Sequence, residues 1–140
     1  MQRRFVPPLA ELLDRLTVDQ IKEVLIPAQA DAVAEEMEKI AHDIDLLARE
    51  RGIETSAHLL RIVIALAQLN VHIWYNKDQM QRDAGRYSEL LKFAHQLNGV
   101  RNQLKNALLV ECGDADKGAQ HTNFNTDGLE GWNLSVLRNG

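Results

Sequence analysis

A chain of 140 residues with 45% hydrophobic and 26% charged side chains has the composition of one globular domain with a modest core. Its net charge of −4 leaves no basic footprint for a phosphate backbone, so nucleic acid is not an expected partner. The single cysteine, Cys112, cannot close an internal disulfide, and residues 1–8 lack the apolar stretch of a signal peptide, so a reduced, cytoplasmic location is expected.

In chain order, a short helix over Leu9 to Leu16 follows Pro7-Pro8. Next comes a helix-start pattern, Leu16-Thr17-Val18-Asp19-Gln20-Ile21. Thr17 stands where a cap belongs, Gln20 sits three residues later as in a capping box, and Leu16 and Ile21 occupy the hydrophobic-staple positions. The pattern predicts a separate helix from Thr17 to Ile26, with Pro27 opening the next one. From there to Arg51, the residues Val33, Met37, Ile40, Ile44 and Leu47 recur at steps of four and three, the spacing of an antiparallel packing seam. Gly52 suits the end of that helix.

A third helix is predicted from Thr55 or Ser56 towards Met80. It is apolar nearly all round between Leu59 and Trp74, as befits the middle of a bundle. Arg61, Gln68, Asn70 and His72 interrupt the run and make it a poor membrane span, so no membrane partner is expected. Asp83-Ala84-Gly85 marks a break, and a fourth helix follows from Tyr87 to Glu111 and stops at Gly113. Its core arc holds Leu90, Phe93, Leu97, Val100, Leu104, Ala107 and Leu108. The expected fold is all-α: an up-and-down bundle of about four helices over residues 1–112. Residues 113–140 change to Asp, Asn, Gly and Thr and read as an irregular tail. Its apolar residues, Phe124, Leu129, Trp132, Leu134, Val136 and Leu137, either dangle or dock on the bundle or on a partner subunit.

Several constellations bear on chemistry. Glu35, Glu38, His42 and Asp45 share one helix face, but that face points away from the Val33-Ile40-Leu47 seam and reads as solvated. Glu35-x-x-Glu38 resembles the first half of the metal-binding pattern of all-α nucleotide pyrophosphatases, and the matching Glu-x-x-Asp on a following helix is missing. Arg61, Gln68, His72 and Tyr75 line a polar stripe on the third helix, while Asn70 lies on its apolar arc as a satisfied core amide or a register-fixing contact. On the fourth helix His95, Asn98, Asn102 and Asn106 form an amide-rich face, and Arg101 flanks the core. Asn123-x-Asn125-x-Asp127-Gly128 resembles the opening of a calcium loop, yet Leu134 stands where the bidentate Glu belongs, and Asx turns explain it better.

Glu11-Leu12-Leu13-Asp14-Arg15-Leu16-Thr17-Val18 followed by Ile21-Lys22 resembles a motif, E-L-[IL]-D-[KR]-[IL]-T-[IV]-x-x-I-K, of small uncharacterised bacterial proteins that often accompany cell-surface polysaccharide genes. Leu69-Asn70-x-x-Ile73-Trp74 and Asn98-x-x-Arg101-Asn102 extend the resemblance over much of residues 9–112. It implies a helical bundle and brings no assigned activity.

The leading expectation is a non-enzymatic helical association or accessory module, a homodimer or a subunit bound to a protein partner, with no cofactor. The competing expectation is a module that binds or hydrolyses a nucleotide or nucleotide-sugar through Arg61, His72, Asn98, Arg101 and Asn102. Mg²⁺ at Glu35 and Glu38 would serve that second reading.

Overall fold

The computed structural model describes residues 7–113 and 126–138. Four helices make the bundle: α1 (Leu9–Leu25), α2 (Ala30–Arg51), α3 (Ala57–Arg82) and α4 (Tyr87–Glu111). The fold is the expected all-α bundle with an irregular C-terminal segment. α1, α3 and α4 pack mutually, whereas α2 packs on α1 alone among the helices.

The first helix departs from the sequence reading. One continuous helix runs through Thr17, entered from Pro8, whose carbonyl accepts from the amides of Glu11 and Leu12. Thr17 caps nothing. Its hydroxyl donates to the Asp14 carbonyl one turn back at 2.7 Å, and Gln20 bonds Glu23 on the surface instead of closing a capping box. A threonine that finds a partner within its own helix no longer competes with helical backbone, and burial of Leu9, Leu12 and Ile21 holds α1 together across it.

The remaining boundaries follow local chemistry. Ile26, turned out of the helical region ahead of Pro27, ends α1, and Pro27 opens the single 3-10 turn Pro27–Gln29 that leads into α2. Gly52 at φ +63° closes α2 in a Schellman motif, with Ile53 N–H donating to the Ala48 carbonyl and Gly52 N–H to that of Arg49. Ser56 caps α3 by accepting the Leu59 amide at 3.1 Å. Asn76, buried on α3, donates to the Leu90 carbonyl at 3.1 Å and ties the start of α4 to its neighbour.

The core has two parts. The larger joins α3 and α4 through Ile62, Leu66, Leu69, Leu97, Leu104 and Leu108, all fully buried. The smaller sits between α1 and α2, where Leu9, Leu12, Ile40 and Leu47 meet the buried, reduced Cys112. α3 is long and apolar enough to cross a membrane by length and composition, and its inner face forms the centre of the larger core.

Residues 126–138 lie on α3 and α4. Val136 is buried in the larger core, against which Leu129, Trp132, Leu134 and Leu137 also pack. Gln96 donates to the Asp127 carbonyl at 2.6 Å and Arg61 to the Ser135 hydroxyl at 2.6 Å. Asn123, Asn125 and Phe124 lie outside the described residues.

Candidate functional site

α1 forms a wall of each candidate site. At about 100° per residue, Glu11, Arg15, Val18 and Lys22 share one face, and Leu13, Leu16, Gln20 and Val24 share the opposite one. Between these faces Asp14 and Thr17 look towards α3 and α4, where they enter a buried polar network.

Asp14, only 5% exposed, is the hub of that network. It accepts from Asn70 Nδ2 at 3.1 Å and from Arg101 Nη2, and Lys105 Nζ lies 3.8 Å from its Oδ2. Asn70 spends its second donor on Thr17 Oγ1 at 2.9 Å and accepts from Arg101 Nε at 2.9 Å. Lys105, 8% exposed, completes the network with Glu11 at 2.9 Å. Two carboxylates face two cations, and each of Asn70's polar hydrogens and its carbonyl oxygen is engaged. A buried network this well connected fixes the register of α1, α3 and α4. Its residues come from three separated helices: Glu11, Asp14 and Thr17 from α1, Asn70 from α3, and Arg101 and Lys105 from α4.

Beside the network opens a cleft of about 470 Å³ between α1 and α2, bounded by Pro7, Glu11, Asp14, Arg15, Val18, Asp19, Lys22 and Glu36. Asp19 is 3% exposed, and its Oδ2 has no hydrogen-bond partner. Burial, then charge repulsion from the neighbouring Glu36 carboxylate, then a hydrogen bond shared with that same carboxylate, push its pKa above the ordinary 3.8, against a smaller downward pull from Lys22 and Arg15.

On the opposite face of α1 lies an open groove of about 500 Å³, lined from α1 by Leu13, Leu16, Ile21, Val24 and Leu25 and from α3 by Val63, Ala67, Val71 and Tyr75. Thr17 and Gln20 are its polar members, and no charged side chain lines it. Val24 is 65% exposed, and Ile64, continuing the α3 wall, is 57% exposed. Leu60, Ile64, Ala67, Val71 and Tyr75 follow one another at steps of three and four, a second seam on α3 that faces away from the core.

The five residues expected to hold a ligand are not gathered in one place. Arg61 binds the C-terminal segment through Ser135, and His72 stacks edge-on to Phe93 at 5.1 Å and tilted over Trp132 at 5.6 Å. Arg101 belongs to the buried network. Asn98 is exposed on α4 and Asn102 half-buried one turn later. Glu35 is exposed and pairs with Lys39 at 4.0 Å, and Glu38 also faces solvent. Among the described residues no group of three or more His, Cys, Asp or Glu is disposed to hold a metal.

Sequence reasoning passed over Asp19, Glu36 and Lys105. Glu36 sits between the two glutamates that drew attention, and only the packing of α2 on α1 distinguishes it. The outward seam of α3 was hidden because that helix is apolar on its inner side as well. Comparison with protein-family models, with curated proteins and with solved structures finds no match.

Proposed function

We propose that the protein works by self-association: two copies meet across the α1–α3 groove, the outward seam of α3 in one copy lying in the groove of the other. The observation that carries this reading is the uncharged apolar strip formed by Leu60, Ile64, Ala67, Val71 and Tyr75 beside Val24 and Leu25. It spans sixteen residues of α3, about 22 Å at the helical rise. A surface of this continuity marks an interaction site.

Three features support a second copy as the occupant. The patch contains both a ridge and an adjoining groove, so a twofold axis matches it to itself. The absence of charge lets two acidic chains meet there without repulsion between like groups. Ala67, the small residue at the middle of the seam, allows two α3 backbones to approach closely. In this reading Asp14, Asn70 and Arg101 serve association indirectly, by holding α1 and α3 in the register that shapes the groove.

Light scattering across a concentration series tests the proposal. The unmodified chain is expected at twice its 15.8 kDa mass. Ile64→Glu, at a position already 57% exposed, is expected to run as a folded monomer with unchanged helix content. A monomer at every concentration, or an Ile64→Glu variant with undiminished assembly, contradicts it.

A further inference from the structure

α2 is the helix that the bundle holds least. Of its 22 residues only Val33, Ile40 and Leu47 are buried, and among the helices it rests on α1 alone. The short Pro27–Gln29 turn joins it to α1 and residues 52–56 join it to α3. An element with so few buried apolar side chains opens at lower cost than the bundle as a whole. Beneath it lies the smaller core, where Ile40 and Leu47 pack with Leu9, Leu12 and the fully buried Cys112. Arg51 ties its C-terminal end to the Cys112 carbonyl at 3.4 Å, a contact that opening must also break.

Nearer the other end, a pair of acids crosses the contact between α1 and α2. Asp19, buried on α1, shares a hydrogen bond with the exposed Glu36 of α2, and its Oδ2 has no partner. Two carboxyl groups can share a hydrogen bond only while one of them carries a proton, and two carboxylates in its place repel. The charges acting on Asp19 are Glu36 from α2 and Lys22 and Arg15 from its own helix. Glu11 and Asp14 line the same cleft, and Lys105 and Arg101 of α4 hold them.

We propose that this pair latches α2: with a proton between the two carboxyl groups the helix lies closed on α1, and once the proton is lost it swings away and lays open the smaller core at Cys112. The direction follows from the surroundings. Burial, then the Glu36 charge, raise the pKa of Asp19 above 3.8 while α2 is closed, and solvent restores the ordinary value when α2 swings out. The closed form therefore holds the extra proton, so closure is favoured in acid and weakens as pH rises through the raised value. The larger core contains no buried residue of α2 and holds the other helices together when α2 is open.

Cys112 is a reporter already in place. Its rate of modification by methyl methanethiosulfonate, measured on the full chain between pH 4 and 8 and divided at each pH by that of a free alkanethiol, reads the open fraction with the thiol's own ionisation cancelled. The ratio is expected to rise with pH and then level off, while the amides of Ile62, Leu66 and Leu104 in the larger core keep their slow hydrogen exchange. Asp19→Asn removes the buried charge and should leave the ratio flat and about fivefold lower at pH 7, or lower still. Glu36→Gln, at an exposed position, gives Asp19 an N–H donor that needs no shared proton and should flatten the rise as well. A ratio that is flat or falls with pH in the unmodified chain overturns the proposal, as does a rise that either variant retains. Exchange at Ile62 and Leu104 that quickens in step with labelling marks unfolding of the whole bundle and overturns it too.

Discussion

Removing the Asp14 carboxylate should cost far more than removing a surface charge. In Asp14→Ala, Arg101 loses its carboxylate partner while its side chain stays three-quarters buried, and Lys105, 9% exposed at the side chain, keeps only Glu11. Asn70 keeps Thr17 as an acceptor for one of its two donors. Breaking a buried pair by deleting one partner costs about 3–5 kcal/mol, and these residual partners place the loss near the lower end, about 3 kcal/mol. For a chain of this size that lowers Tm by about 10 °C. Arg101→Met leaves Asp14 with Asn70 and the more distant Lys105 and is expected to cost about 2 kcal/mol. The double variant should lose clearly less than the sum, with a coupling energy of about 1–2 kcal/mol. Urea unfolding followed by far-ultraviolet circular dichroism measures all three, provided the m-value stays constant. Single losses below about 1 kcal/mol with no coupling, the behaviour of a solvent-screened pair, would refute the network as the element that registers the helices.

Asp19 gives a prediction with an opposite sign. Its folded pKa lies above the unfolded value near 3.8, so the folded state holds the extra proton between the two values, and Asp19's contribution to stability falls as pH rises through that window. Asp19→Asn should therefore raise Tm above the window, at neutral pH, and leave it little changed in acid, as calorimetry against pH would record. Gly52→Ala meets no neighbouring atom but forces a side chain to φ +63°, and chemical denaturation should show a loss of about 1 kcal/mol. Ser56→Ala removes the α3 cap and should cost about 1 kcal/mol by the same assay. Trp132→Ala, which strips the ring that covers His72, should make residues 126–138 about tenfold more susceptible to limited proteolysis while the helices remain protected.

Much of the bundle was legible because its punctuation is local. Gly52, Ser56, Asp83 and Gly113 act through their own backbone or nearest turn, and the α4 core arc follows from spacing alone. The error at Thr17 has a physical cause. A hydroxyl at a cap-like position satisfies itself equally well by bonding back to the Asp14 carbonyl, and burial of its neighbours, not the capping pattern, decides between the two. The network was visible only in pieces. Asn70 stood out as an amide on an apolar arc and Arg101 as a cation flanking the core, but nothing in the order of residues says that Asp14, fifty-six positions before Asn70, completes both. Asp19 and Glu36 were invisible for the same reason, since their meaning depends on which face α1 turns to α2.

Self-association is tested most directly by a thiol at the middle of the outward α3 seam. Cys112 is fully buried, so Ala67→Cys provides the reactive sulfur, and a twofold pairing sets it beside its own copy. Mild oxidation is expected to yield a covalent dimer at Ala67→Cys and none at Lys39→Cys on the exposed face of α2. A chain that stays monomeric at Ala67→Cys, or cross-links no faster there than at Lys39→Cys, would contradict a dimer built on this groove.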